Sequence, residues 1–110
     1  MRKTNELAKK AIDKGELPIA ALVVHEKTII SSSITMEKAE KRRMVHADFL
    51  ALELADKLKS FLGKRSEMSS FVNLEPCLMC FGSAMMFGVG NIYYSLESPL
   101  DGATKYTTAY

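Results

Sequence analysis

Cysteine, histidine, proline and glycine are all scarce here: two, two, three and six among 110 residues. So few prolines and glycines exclude a linker-rich or extended disordered chain. Two cysteines exclude a disulfide scaffold, and their Cys-x-x-Cys spacing in a reducing compartment reads as a ligand pair or a redox pair. Long apolar runs are missing too. The longest, Leu17 to Val24, is eight residues, against the roughly 18 that a membrane helix requires. Met1-Arg2-Lys3 leads into a polar segment rather than a secretory apolar region, so the expected location is the cytoplasm. Charge of one sign is likewise lacking: a net +2 does not by itself indicate nucleic acid. No repeat, low-complexity tract or dividing linker interrupts residues 1–110, which are expected to form one domain. That length suffices to bury about 60 to 70% of the unfolded surface around a single core.

The elements follow from periodicity. Leu7, Ala8, Ala11 and Ile12 share one face of a helix over residues 4–14, which Gly15 and Pro18 stop. Leu17 to Val24 is apolar on both faces, as a buried strand is. A turn at His25-Glu26-Lys27 leads to a second strand, Thr28 to Ser33, and the pair reads as an antiparallel hairpin. A charged run from Glu37 to Arg43 follows. Beyond it the pattern predicts a helix from His46 to Ser60, a strand from Ser69 to Leu74, a helix from Cys77 to Phe87 and a strand from Asn91 to Leu96. Each of the last two strands follows a helix, so right-handed crossovers lay them parallel in one sheet. The expected class is α/β, with helices on both faces of a mixed sheet. The helix Cys77 to Phe87 is apolar nearly all round and needs cover on two sides.

Three good metal donors stand in two short stretches, "VHADFLAL" and "LEPCLMC": His46, Cys77 and Cys80. Zinc takes four tetrahedral ligands, chiefly thiolate and imidazole, and a catalytic site leaves one place open. Both stretches begin predicted helices, whose N-terminal partial charge favours thiolates. A redox role for Cys77 and Cys80 also suits a helix start but leaves His46 unexplained. His25, the other histidine, sits at a strand end and reads as a surface turn residue.

The order His46-Ala47-Asp48 and then Pro76-Cys77-Leu78-Met79-Cys80 resembles the His-x-Glu and Pro-Cys-x-x-Cys signature of zinc-dependent nucleobase deaminases, the cytidine/deoxycytidylate deaminase superfamily. "GELPIAALVV", "HADFLALELA" and "LEPCLMC" resemble the first strand, zinc helix and cysteine helix of bacterial tRNA adenosine deaminases, and the likeness covers about residues 5 to 103. The resemblance implies a three-layer α/β/α sandwich, C-terminally short because only 14 residues follow Leu96. It implies Zn2+ held by His46, Cys77 and Cys80, and Asp48 in the place of the proton-shuttling glutamate. Residues two apart on a regular helix point about 200° apart, so the pairing of His46 with Asp48 rests on the resemblance alone. Thr35 stands where the relatives resemble one another in a nucleoside-contacting asparagine, and with Ala47 it is the implied substrate contact.

That chemistry requires a carboxylate within about 2.6 to 3.2 Å of each proton it moves. Aspartate is about 1.5 Å shorter than glutamate. Threonine at position 35 cannot make a two-ended amide contact, and this turns the expectation from tRNA toward a free purine nucleoside or base. Lys38, Lys41, Arg42 and Arg43 read either as a phosphate-meeting rim or as a solvated loop. A catalytically silent zinc-binding partner subunit is the alternative to the hydrolase, and a homodimer built on the helix Cys77 to Phe87 is expected.

Overall fold

The computed structural model describes residues 1–58, 64–100 and 102–104. In chain order the elements are α1 (Arg2–Asp13), β1 (Ala20–His25), β2 (Thr28–Ile34), a single turn α2 (Glu37–Glu40), α3 (Ala47–Asp56), a 3-10 turn (Arg65–Glu67), β3 (Met68–Leu74), α4 (Leu78–Phe87) and β4 (Asn91–Leu96). The strands form one sheet in the order β2-β1-β3-β4. β1 is antiparallel to both β2 and β3, whereas β3 and β4 run parallel. The sheet is therefore mixed, and β3 inserts between β1 and β4 only because α3 carries the chain across the sheet.

Alternation along β1 divides the layers. Ala21 and Val23 face α3 and α4, where they join Ala47, Ala51, Leu52, Met68, Val72, Ala84 and Phe87 in the main core. Ala20 and Leu22 point the other way. They are buried, as are Ala8 and Ala11 of α1, which packs on β1 and β3. This is the expected three-layer α/β/α sandwich. Alanines at 47, 51 and 55 let α3 sit close to the sheet, and the Ser31 hydroxyl on β2 donates to the Ala51 carbonyl at 2.6 Å.

Element boundaries differ from the sequence reading in ways that have local causes. The first strand starts at Ala20 rather than Leu17 because Pro18 brings no amide donor, while Asn73 of β3 ties down the approach to the strand. Its Oδ1 accepts from the Ala20 amide at 2.9 Å and its Nδ2 donates to the Pro18 carbonyl at 2.7 Å. The second strand runs one residue past Ser33, to Ile34. The charged run contains α2, whose Lys38 and Ala39 amides donate to the buried Glu16 carboxylate at 3.1 and 2.6 Å. α3 is helical to Asp56; the expected end at Ser60 lies outside the described residues. α4 ends where Gly88 turns left-handed at φ 95°, a conformation glycine adopts without steric cost.

His25 is at the end of β1 as expected but is 9% exposed, not a surface residue, and its Nε2 lies 3.8 Å from Oε1 of Glu67. The cover expected on both sides of α4 is only half present among the described residues. Cys80, Phe81, Ala84 and Phe87 are buried, whereas Met86 is 92% and Leu78 68% exposed. After β4 the chain folds back on the turn before α4: the Ala103 amide donates to the Pro76 carbonyl at 2.9 Å, and Gly102 forms a bridge with Cys77. Among the described residues, no helix is long and apolar enough to cross a membrane.

Candidate functional site

His46 and Cys77 are the N-caps of α3 and α4. Both have extended backbones, φ −75° ψ 151° and φ −75° ψ 176°, and neither helix end is satisfied by a capping side chain. Two helix N-termini thus converge on one place, where negative charge is stabilised. The extended cap also explains the pairing that helical geometry does not predict. Because His46 precedes the first helical residue, its ring and the side chain of Asp48 reach the same side.

The donor atoms lie close together. Nδ1 of His46 is 3.6 Å from Sγ of Cys77 and 3.5 Å from Sγ of Cys80. Ligands at the zinc–nitrogen and zinc–sulfur bond lengths of about 2.0 to 2.3 Å stand about 3.3 to 3.8 Å apart at tetrahedral angles. Both nitrogen–sulfur distances match that spacing, and all three donor atoms lie within 4.8 Å of one another, a grouping that could hold one metal ion. A second group of possible ligands, His25, Glu26 and Glu67, has two exposed carboxylates and shares no residue with this site.

Asp48 lies beside the sulfurs, 6% exposed, with its Oδ1 accepting from the Phe49 amide at 3.2 Å. Burial pushes its carboxyl above the ordinary carboxylate range, opposed most by a hydrogen bond with Cys80. Burial likewise pushes the Cys80 thiol up, and the Asp48 charge adds to it. Metal coordination reverses that preference and deprotonates a thiol outright.

These groups line a cavity of about 330 Å3, a size within the range of small-ligand sites. His46, Asp48, Cys77 and Cys80 form its polar end, Thr35 and Glu37 one edge, and Leu17, Ile19, Val72 and Leu74 its apolar walls. Ala47 lies on the floor with no exposed surface. Thr35 is 1% exposed, and its hydroxyl donates to Glu37 at 3.2 Å.

Two acids that the sequence reading did not connect to the site belong to its surroundings. Glu37, there part of a charged run, reaches His46 with Oε1 at 3.6 Å from Nε2. Glu75, part of the "LEPC" stretch, accepts from the Ser98 and Thr104 amides at 3.1 Å each and from the Thr104 hydroxyl. It thereby holds the returning segment against the Cys77 turn. Gly102 permits this closeness, since a Cβ there would collide with the Glu75 carboxylate. Lys38, Lys41, Arg42 and Arg43 are exposed, and Arg42 pairs with Glu40 at 2.9 Å.

Comparison with known proteins agrees with this geometry. The tRNA-specific adenosine deaminase of Bacillus subtilis is 32% identical over 106 residues, which cover 94% of this chain but 64% of that protein. The chain thus spans less than two thirds of that relative's length. A solved structure from work on A-to-I editing by tRNA:A34 deaminases superposes with a TM-score of 0.81 at 24% identity, over 93% of this chain and 73% of that one. The guanine deaminase of Nitrosomonas europaea gives 0.78 at 25% identity, over 88% of this chain and 57% of that one. The model of the cytidine and deoxycytidylate deaminase zinc-binding region matches residues 1–96, and the chain belongs to that zinc-dependent deaminase family.

Proposed function

We propose that residues 1–110 act as one deaminase domain that removes an exocyclic amino group from a purine by hydrolysis, releasing ammonia. The observation that carries this is the spacing of His46 Nδ1 from each of the two sulfurs, at the distances of a tetrahedral zinc site, in a cavity that also holds a buried carboxylate. His46, Cys77 and Cys80 hold zinc in this reading. The bound ion supplies Lewis acidity, which makes water a competent nucleophile near neutral pH. Asp48 takes the proton from that water and delivers it first to the ring nitrogen and then to the departing amine. Its raised carboxyl suits the task, because an acid must hold the proton between the two transfers. The apolar walls exclude bulk water from the ring, while Thr35 and Ala47 border it.

On the substrate, the curated relative favours adenosine within tRNA over the free nucleoside or base that Thr35 suggests on its own. Exposed Lys38, Lys41 and Arg43 beside the Glu37 edge of the cavity suit phosphate. The second reading, a free purine base, is favoured by the likeness to guanine deaminase and by threonine at position 35, which cannot make a two-ended amide contact. The exposed Met86, Leu78 and Met85 of α4 support pairing of two copies through this helix.

Ammonia release from an adenosine-bearing anticodon stem-loop, free adenosine, guanosine and guanine separates these readings, with zinc content measured on the same preparation. The expected result is about one zinc per chain and ammonia from the stem-loop. Ammonia from guanine alone selects the second reading. Zinc-loaded protein inert on the whole panel would overturn the hydrolase in favour of a silent zinc-binding partner subunit. A preparation made without chelator and holding no zinc would remove the metal assignment itself.

A further inference from the structure

His46 shows both sulfurs the same ring nitrogen, Nδ1. Its other nitrogen is thereby left to face the protein, and what it faces is Glu37, with 3.6 Å between Nε2 and Oε1. The second oxygen of that carboxylate is also engaged: Thr35 Oγ1 donates to Oε2 at 3.2 Å. Thr35 in turn is fixed from behind. It is 1% exposed, its amide donates to the Ile19 carbonyl at 3.1 Å, and its hydroxyl lies 3.5 Å from the Val45 carbonyl. One buried hydroxyl, one half-buried carboxylate and one imidazole form a line from the end of β2 to the cap of α3.

We infer that Glu37 is the positioning residue for His46, and that Thr35 sets the rotamer of Glu37. A neutral imidazole has one proton and can ligate only through its bare nitrogen. A carboxylate beside Nε2 holds the proton there, so that Nδ1 stays bare and aimed between the sulfurs. The separation is a few tenths of an ångström beyond a formed hydrogen bond, within what a small torsional change in Glu37 closes. The alternative, a solvated surface acid, leaves unexplained why both oxygens of an acid on the charged turn α2 point inward to a hydroxyl and a ring nitrogen. This inference rests on His46 being a zinc ligand.

The test is zinc affinity by competition with a chromophoric chelator, which needs no substrate. Glu37→Ala should bind zinc about 10 to 100-fold more weakly, while the urea midpoint of the zinc-free protein stays unchanged because the side chain is 32% exposed and outside the core. Thr35→Val should lose affinity in the same direction, and the double variant should bind no more weakly than Glu37→Ala, because Thr35 acts only through the carboxylate. Affinity of Glu37→Ala within twofold of the original overturns the inference. So does a Thr35→Val loss that persists in full on the Glu37→Ala background. An original chain that takes up no zinc overturns the zinc reading instead, so the two failures are distinguishable.

Discussion

Asp48 unites burial, a short side chain and a place beside the thiol of Cys80. Asp48→Asn should keep the zinc, because the amide replaces a side chain that is not a ligand, and should lose deamination by about 10² to 10⁴-fold. The same variant tests the burial in zinc-free protein. A carboxyl held above its ordinary 3.8 makes the folded chain bind its proton more tightly than the unfolded chain. Its contribution is complete below that pH and is lost as pH rises through the folded value. Zinc-free Asp48→Asn should therefore gain stability over the original as pH rises from 4 toward 7, read as a widening gap in denaturant midpoint; no gap would mean the carboxylate is well solvated. That His46, Cys77 and Cys80 come together as one possible metal-holding group was legible in the sequence, because ligand chemistry admits few residue types. That His46 and Asp48 face one way was not, since it depends on His46 standing outside the helix with extended backbone. Glu37 was illegible for the same kind of reason: nothing in a run of alternating charges marks the one acid that turns inward.

At the scale of elements, the hydrophobic pattern locates every strand and the three long helices among the described residues, and local hydrogen bonding moves their ends. Hydrophobic pattern reports which face is buried, not where Asn73 intercepts an amide, so it puts the start of β1 three residues early. The β1–β2 pair is the antiparallel hairpin its pattern predicts, but its turn chemistry is strained. Glu26 and Lys27 both have positive φ, 49° and 67°, the conformation of a type I′ turn that asparagine and glycine favour. Left-handed backbone costs an L-residue about 1 to 2 kcal/mol, and glycine loses part of that gain through its freer unfolded chain. Lys27→Gly should accordingly stabilise the protein by about 0.5 to 1 kcal/mol. The check is a higher denaturant midpoint at unchanged slope; a fall would show that the lysine side chain contributes more than its backbone costs.

The molecule as a whole buries one continuous core between the sheet and the α3 and α4 layer, yet leaves Met86 92% exposed on the helix that carries the cysteines. The sequence announced this surplus, because a helix apolar nearly all round cannot be covered by a sheet on one side. If two copies meet there, as proposed, Met86→Lys should raise the dissociation constant about 10 to 100-fold, the equivalent of burying one such side chain. Chain stability should shift by no more than about 0.5 kcal/mol, as at other exposed positions. Sedimentation across a concentration series gives both the mass and the constant, and an unchanged dimer constant would place the contact elsewhere. The fold-back after β4 has a consequence of another kind. The Ala103 amide is bonded to the carbonyl of Pro76, and the Thr104 amide to the Glu75 carboxylate, each next to the turn that bears Cys77. Those two protons exchange with solvent only when the turn and the segment part, so their exchange rates measure how firmly the Cys77 turn is closed. Labelling by deuterium at two backbone positions would follow metal loading from outside the cavity, with no probe in the site and no turnover required.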